Sequence, residues 1–470
     1  MEHLYVVTAF LNPKIDDDDI SMTLPDGWPE GLNAPKIVVR FRKALYGLKQ
    51  APRLWHDDIN PFQFSLQFTQ SLADPNLFLR SDGILILHYV DDISMLYPEA
   101  ADKAAIEVKA KLLKKYKITN LGPARKFLGI EFPHNGTGDG TGVSLGQKAY
   151  IITLLRRFGM EHTHNISTRM DPNVKLDFAE DRGEKELEDI TDYQAILGSL
   201  MYAVLPTRPK ISYAVAALSR YNSRPFTSHM TAAKGVRQNL KSTADLRLQF
   251  NGNDIGIGIG IGIGIGSGNV IDIGIGIGIG IDIGIGIGIG IGIGIGIGIN
   301  IGIGIGINIG NCLVGYLVSD WANDSADSKS PGGHVFLTSN RAILWQSRRQ
   351  SLIAMSNLEA QFIPCSEASS DAKWFLQLQK DIHGKGLPLL PINCDNQGAL
   401  TLITKGIIKA RTKHIDVCYH NSWDLHRRRI AHYSYVHREE NVADILTKAP
   451  TKDKHRKFTK AMGWMWWRSI

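Results

Sequence analysis

Asp91 and Asp92 are the first residues whose type and spacing could do chemistry. They stand next to each other in Ile84-Leu-Ile-Leu-His-Tyr-Val-Asp-Asp-Ile-Ser-Met-Leu-Tyr97, between two apolar runs. One option is an ordinary solvated Asp-Asp turn. The other is a divalent cation site, because adjacent like charges at a fixed tip are relieved by a counterion. A second set, Asp320, Glu359, Asp395 and Asp444, is scattered over the last third of the chain. Four dispersed carboxylates carry little meaning until something folds them together.

The elements that must position them read as a mixed α/β chain. Apolar strands are expected at Val6 to Leu11 and Ile84 to Val90, and a charged helix from Asp102 to Tyr116. Gly136 to Gly142 is a Gly/Thr loop, and a helical region runs from Tyr193 to about Leu240. Further on, Cys312 to Ser319 and His334 to Leu337 read as strands. Leu352 to Asp381 reads as a helix, and Leu389 to Cys394 as a strand ending in Asp395. With 53 Lys plus Arg against 46 Asp plus Glu, the net charge of +7 suits a nucleic-acid partner. The four cysteines form no CxxC pair, so neither a disulfide framework nor a zinc ribbon is indicated. No signal peptide or membrane-length apolar run is visible outside one repeat, which points to an intracellular protein with no membrane partner.

That repeat runs from Ile255 to Gly310 as nearly uninterrupted Ile-Gly and holds nearly half of the 47 glycines. Asp272, Asp282, Asn300, Asn308 and Val270 stand where Gly is expected, and Ser267 and Asn269 where Ile is. As a helix it would cost about 1 kcal/mol at every glycine. As a strand it specifies no register. It reads as a low-complexity insertion prone to association between chains.

Several motifs resemble one family. Tyr89-Val-Asp-Asp92 is similar to the YVDD box of reverse transcriptases, and Lys43-Ala-Leu-Tyr-Gly-Leu-Lys-Gln-Ala-Pro-Arg-Leu-Trp55 to the signature of copia-type retrotransposon polyproteins. Thr8-Ala-Phe-Leu-Asn12, Leu121-Gly122, Phe127-Leu-Gly-Ile-Glu131 and Thr207-Arg-Pro209 follow in family order, with Lys210 where an Asp is usual. Leu313-Val-Gly-Tyr316, Ser356-Asn-Leu-Glu-Ala-Gln-Phe362, Cys394-Asp-Asn396, Arg411-Thr-Lys-His-Ile415 and Ala443-Asp-Ile-Leu-Thr-Lys448 resemble the family's ribonuclease H region.

The resemblance implies a truncated right-hand polymerase palm and thumb and a ribonuclease H-like mixed-sheet domain, separated by the Ile-Gly insertion. The expected spans are palm 1–135 with its fingers truncated, a thumb-like region 136–192, connection 193–250, insertion 251–311, ribonuclease H-like domain 312–450 and a tail 451–470. It implies an RNA-directed DNA polymerase acting on an RNA template and DNA primer, a ribonuclease H acting on RNA–DNA hybrid, and two-metal Mg2+ sites. Asp91, Asp92, Glu359, Asp395 and Asp444 would be catalytic metal ligands. Phe10 would close over the sugar, and Gln50, Lys49 and Arg53, with Lys43, would line the nucleotide and template site.

Two ligands depart from the family pattern. The third palm carboxylate should stand five residues before Phe10, where the chain has Tyr5, and a phenol is no hard anionic ligand at neutral pH. Asp16 to Asp19 reads as a solvated charge run instead of a replacement. Family members read GYSDADWA where this chain reads Gly315-Tyr-Leu-Val-Ser-Asp-Trp-Ala322. Aligned without a gap, Val318 takes the first Asp position, and Asp320 lies ~6.6 Å further along the strand. With a gap, Asp320 is that ligand. The expected polymerase is therefore catalytically impaired, the alternative being a non-catalytic nucleic-acid-binding remnant. His414, His420, His426 and His432 recur every six residues, which does not align them on one helical face. Trp464-Met-Trp-Trp467 reads as a loosely packed hydrophobic end.

Overall fold

The structure is a computed structural model. It describes residues 1–15, 20–23, 38–132, 143–160, 176, 183–250, 257–260, 276–279, 305–306, 313–320, 329–338, 340–350, 353–354, 356–384, 389–405 and 416–466. Asp16 to Asp19, the Gly136 to Gly142 loop, Arg411 to Ile415 and Trp467 lie outside these residues, as do the side chains of His420 and of the Ile-Gly repeat. Within that repeat, Ile257–Gly260, Gly276–Ile279 and Ile305–Gly306 pair as a three-stranded sheet.

The chain divides into two compact units, Met1–Leu128 with Phe375–Gly386, and Gly129–Trp374 with Leu387–Ile470. The first is built on a six-stranded sheet. Its strands are β1 (Glu2–Val6), β2 (Thr69–Gln70), β3 (Leu77–Leu79), β4 (Leu85–Tyr89), β5 (Asp92–Leu96) and β6 (Ile118–Pro123), in the order β2-β3-β4-β5-β1-β6. Leu4, Val6, Ile86, Ile93 and Met95 alternate onto the face covered by α1 (Ala51–Ser65) and α2 (Asp102–Lys115). Trp55 and Ile59 of α1 are buried one turn apart. Ala105, Val108 and Leu112 of α2 recur at helical spacing. Asp102 in the first turn of α2 and Lys114 and Lys115 in its last complement the helix dipole.

One strand differs from expectation. The run from Val6 to Leu11 leaves extended geometry at Val6, turns through Thr8 at φ 56, and closes as a 3-10 turn over Ala9–Leu11. Asn12 Nδ2 donates to the Thr8 carbonyl at 3.0 Å, a side-chain bond that competes with further strand pairing.

The second unit includes β7 (Val143–Leu145) and four helices, α3 (Lys148–Arg157), α4 (Thr191–Thr207), α5 (Ser212–Ser219) and α6 (Thr227–Ser242), which share an aliphatic core. The helical region expected from Tyr193 to about Leu240 is built as α4, α5 and α6, with α4 ending at Thr207 just before Arg208–Pro209. The fully buried Arg208 leaves the helix and donates to the carbonyls of Leu246 (2.7 Å) and Ala244 (3.2 Å). Burial pulls its guanidinium down to about 9.

After β8 (Leu246–Phe250) comes a mixed sheet of β9 (Leu313–Ser319), β10 (Pro331–Thr338), β11 (Arg341–Arg349), β12 (Leu390–Cys394) and β13 (Ala431–Tyr435). Its order is β11-β10-β9-β12-β13. β9, β10 and β11 pair antiparallel, and β12 and β13 add in parallel. α7 (Asn357–His383), α8 (Gln397–Lys405), α9 (Asp416–Arg427), a 3-10 turn at Val442–Leu446 and α10 (Lys452–Ala461) accompany it.

The chain end contradicts its reading as a loose tail. β14 (Trp464–Trp466) pairs with β8, Trp464 facing Leu248 in register, and β7 completes that small sheet. Trp464 is only 5% exposed, shares a core with Leu246, Leu248 and Val318, and lies under the Arg208 guanidinium at 5.0 Å.

Candidate functional site

In the first unit, β4 and β5 form a hairpin in which Tyr89 pairs with Asp92, leaving Val90 and Asp91 as its two-residue tip. Val90 has φ 55, an uncommon conformation for a β-branched side chain. With Thr8, it is one of two β-branched residues in left-handed geometry flanking the acidic pair.

The two carboxylates take separate partners. Asp91 Oδ1 accepts from the Ala9 N–H at 2.8 Å and from the Tyr46 hydroxyl at 2.6 Å. The Asp91 carbonyl accepts the Val6 N–H at 2.7 Å, tying the tip to β1. Asp92 Oδ1 lies 2.7 Å from His3 Nε2. Burial, together with the hydrogen bond to Asp91, pushes the Tyr46 phenol up to about 12, so it remains a donor at neutral pH. Tyr5 stands in direct register with Asp92 on β1 and is 39% exposed. Position 5 is therefore beside the acidic pair, and it brings a phenol.

Phe10 is buried on the 3-10 turn with its ring 4.8 Å from that of Tyr46. Gln50 is the residue before α1 and is half-buried, whereas Lys43, Lys49 and Arg53 are exposed. Arg53 makes a long, solvated pair with Asp57 at 3.6 Å, worth little. Tyr46 and His3 were not singled out from sequence. Tyr46 lies inside the Lys43-to-Trp55 motif, which was its signal, while nothing in the sequence marks His3.

In the second unit, Asp395 follows β12, Asp320 follows β9, Glu359 lies buried in the first turn of α7, and Asp444 sits in the 3-10 turn. Gln361 ties three of these elements together. It accepts the Ser319 N–H at 2.8 Å and donates to Asp395 Oδ1 at 3.3 Å and Cys394 Sγ at 3.4 Å. Burial raises the Asp395 carboxyl and the Asp444 charge adds to the rise, with Arg438 and Lys448 opposing.

Asp444 is fully buried and ringed by cations. Lys448 is paired with Oδ1, Lys454 Nζ lies 3.1 Å from Oδ2, and Arg438 Nε stands 4.0 Å from Oδ1. The same guanidinium is 3.8 Å from Asp320 Oδ1, which brings Asp320 into this ionic cluster. Val318, 2% exposed, instead packs in the hydrophobic core. His426 and His432 have rings 6.2 Å apart. Among the described residues no three His, Cys, Asp or Glu side chains are grouped to hold a metal ion.

A family model described as reverse transcriptase (RNA-dependent DNA polymerase) matches residues 1–172. The chain is 29% identical over 465 residues to the retrovirus-related Pol polyprotein from transposon TNT 1-94 of Nicotiana tabacum, covering 97% of this chain and 30% of that one. The polyprotein from transposon RE1 of Arabidopsis thaliana is 29% identical over 472 residues, covering 98% and 27%. The putative transposon Ty5-1 protein of Saccharomyces cerevisiae is 34% identical over 248 residues, covering 52% of this chain and 77% of that protein. The chain thus spans about three-tenths of the length of the plant polyproteins it matches. Among solved structures, a ribonuclease H1 from Halobacterium salinarum covers 29% of this chain and 93% of its own at 14% identity, with a TM-score of 0.21.

Proposed function

Because the chain belongs to the copia-type retrotransposon Pol polyprotein family, we propose that it is an RNA-directed DNA polymerase with a ribonuclease H-like domain, both catalytically impaired. Residues 1–135 would form the palm, 136–192 a thumb-like region, 193–250 the connection, and 312–450 the ribonuclease H-like domain. RNA template, DNA primer and RNA–DNA hybrid are the corresponding partners. The observation that carries the impairment is Tyr5 in register with Asp92, where a third carboxylate is required.

The palm residues fit a divalent cation in part. Asp91 and Asp92 offer hard anionic oxygens from one hairpin tip, and Tyr5 does not. Magnesium bound there supplies Lewis-acid stabilisation of charge on phosphate. The protein's own share is positional. Ala9 and Tyr46 orient Asp91, His3 orients Asp92, and the Phe10 ring packs at a tilt against Tyr46. Lys49 and Arg53 give exposed positive charge suited to the template backbone.

The second cluster does not fit a metal. The Asp444 carboxylate is already neutralised by Lys448 and Lys454, with Arg438 beside it, and Val318 is spent in the core. The same cluster favours the second reading, a nucleic-acid-binding protein that has lost hydrolysis.

Magnesium-dependent extension of a DNA primer on an RNA template, and cleavage of an RNA–DNA hybrid, test both halves. The expected result is no activity above that of Asp91→Asn and Asp395→Asn. Extension by the unmodified chain that vanishes in Asp91→Asn would overturn the impaired assignment.

A further inference from the structure

The 3-10 turn that carries Asp444 is pinned to three strands. Asn441 accepts the Ala443 N–H at 3.2 Å through its side-chain oxygen and donates from Nδ2 to the Leu317 carbonyl on β9 at 2.9 Å. The Leu446 carbonyl accepts from Ser347 Oγ on β11 at 2.6 Å. Leu446 lies so close to Gly333 on β10 that a Cβ at that glycine would stand 2.6 Å from it. So held, the Asp444 carboxylate cannot swing away from the groups that face it.

One of those groups comes from α10. Phe458 is fully buried in the core that holds Val442, Ala443, Ile445 and Leu446. Lys454 precedes it by four residues, on the same helical face. Its ammonium lies 5.5 Å from the Phe458 ring centre, 3.1 Å from Asp444 Oδ2 and 3.0 Å from Glu439 Oε1. Lys448 takes Asp444 Oδ1, so each oxygen of this buried carboxylate has an ammonium of its own. Hard divalent cations bind carboxylate oxygens at about 2.0–2.6 Å. An ammonium at hydrogen-bond distance from Oδ2 is a like charge that such a cation must displace.

We infer that α10 closes the second acidic cluster by supplying the Lys454 ammonium as its fixed counterion, and that a latent divalent-cation site lies beneath Lys454. The inference rests on the ribonuclease H-like reading of that cluster. Without Lys454, the buried carboxylate keeps only part of its compensation, and a divalent cation supplies the rest.

The test is manganese binding by the full chain, followed by electron paramagnetic resonance of free Mn2+ and by thermal unfolding in Mn2+ or EDTA. Every sample carries Asp91→Asn and Asp92→Asn, so the hairpin carboxylates do not contribute. Lys454→Met removes the charge and keeps an apolar stem against Phe458. It should bind Mn2+ about tenfold or more tighter than the parent, since a like charge at this range is worth at least that. Its unfolding temperature should also rise with Mn2+. The parent and Lys454→Arg should show neither effect. Lys457→Met, which loses an exposed pair with Glu440 on the same helix, should match them. A Lys454→Met chain that unfolds in EDTA and folds in Mn2+ would support the inference equally. A folded Lys454→Met with the parent's affinity would overturn it alone. So would a chain unfolded in both solutions, because no divalent cation then replaces the ammonium. Manganese bound by the parent and lost in Asp444→Asn would show the cluster already open and would overturn it too. If the gained binding survives Asp395→Asn with Asp444→Asn, the metal lies elsewhere, and the ribonuclease H-like reading of the cluster falls as well.

Discussion

At the scale of single residues, the strand leading to the acidic hairpin carries a buried imidazole. His88, on β4 just ahead of the hairpin tip, is fully buried, accepts from Gln63 at 3.2 Å and stacks on Phe78. Burial lowers its imidazole to about 4, with His56 adding to the effect. A folded pKa below the unfolded one means that the unfolded chain takes up the proton first. The stability due to His88 is therefore present above pH 6.5 and lost as pH falls from about 6.5 to 4, a span of roughly 3 kcal/mol. Urea unfolding followed at pH 7 and pH 4.5 should show this loss in the parent chain, and His88→Leu should reduce it. An unchanged acid slope in the variant would refute the role of His88. Tyr46→Phe removes one hydrogen bond to Asp91 and should cost about 1 kcal/mol in the same measurement. Spectrophotometric titration should also lose one phenol ionising near 12.

At the scale of elements, Val90 at φ 55 holds the hairpin tip in a conformation costing an L residue about 1–2 kcal/mol. Val90→Gly should therefore be neutral or stabilise by up to about 1 kcal/mol, the glycine's own entropy taking back part of the gain. A clear loss of stability would mean that the Val90 side chain contributes more packing than its turn costs. Trp464→Ala should destabilise by about 3–5 kcal/mol, since it removes a buried indole between β8 and the Arg208 guanidinium. A near-neutral result would restore the loose tail. The hairpin was legible in sequence because two apolar runs bounding a polar tip, from Ile84 to Tyr97, are a local pattern. The pairing of Trp464 with Leu248 was not legible, since no local pattern records which distant strand a short apolar end will meet. The bond from Tyr46 to Asp91 was hidden for the same reason, although each residue stood in a recognised motif.

At the scale of the whole molecule, β8 ends at Phe250, β9 begins at Leu313, and Leu246, Leu248 and Val318 share one core. Replacing Ile255 to Gly310 with a short Gly-Ser linker should keep a cooperative unfolding transition and improve solubility, because loop length costs only ~0.6 kcal/mol per doubling. Loss of that transition would mean the repeat belongs to the fold. The family was legible from motifs spread along the chain, whereas the state of the two acidic centres needed three dimensions. Only register placed Tyr5 against Asp92, and only the fold placed Lys448, Lys454 and Arg438 around Asp444. The polymerase defect proposed above rests on position 5. Primer extension on an RNA template, comparing the chain with Tyr5→Asp, puts that to the test. A restored metal ligand worth ~3 kcal/mol predicts at least about 100-fold more extension, abolished by adding Asp91→Asn. Equal extension by the chain and Tyr5→Asp, whether both active or both silent, would contradict it.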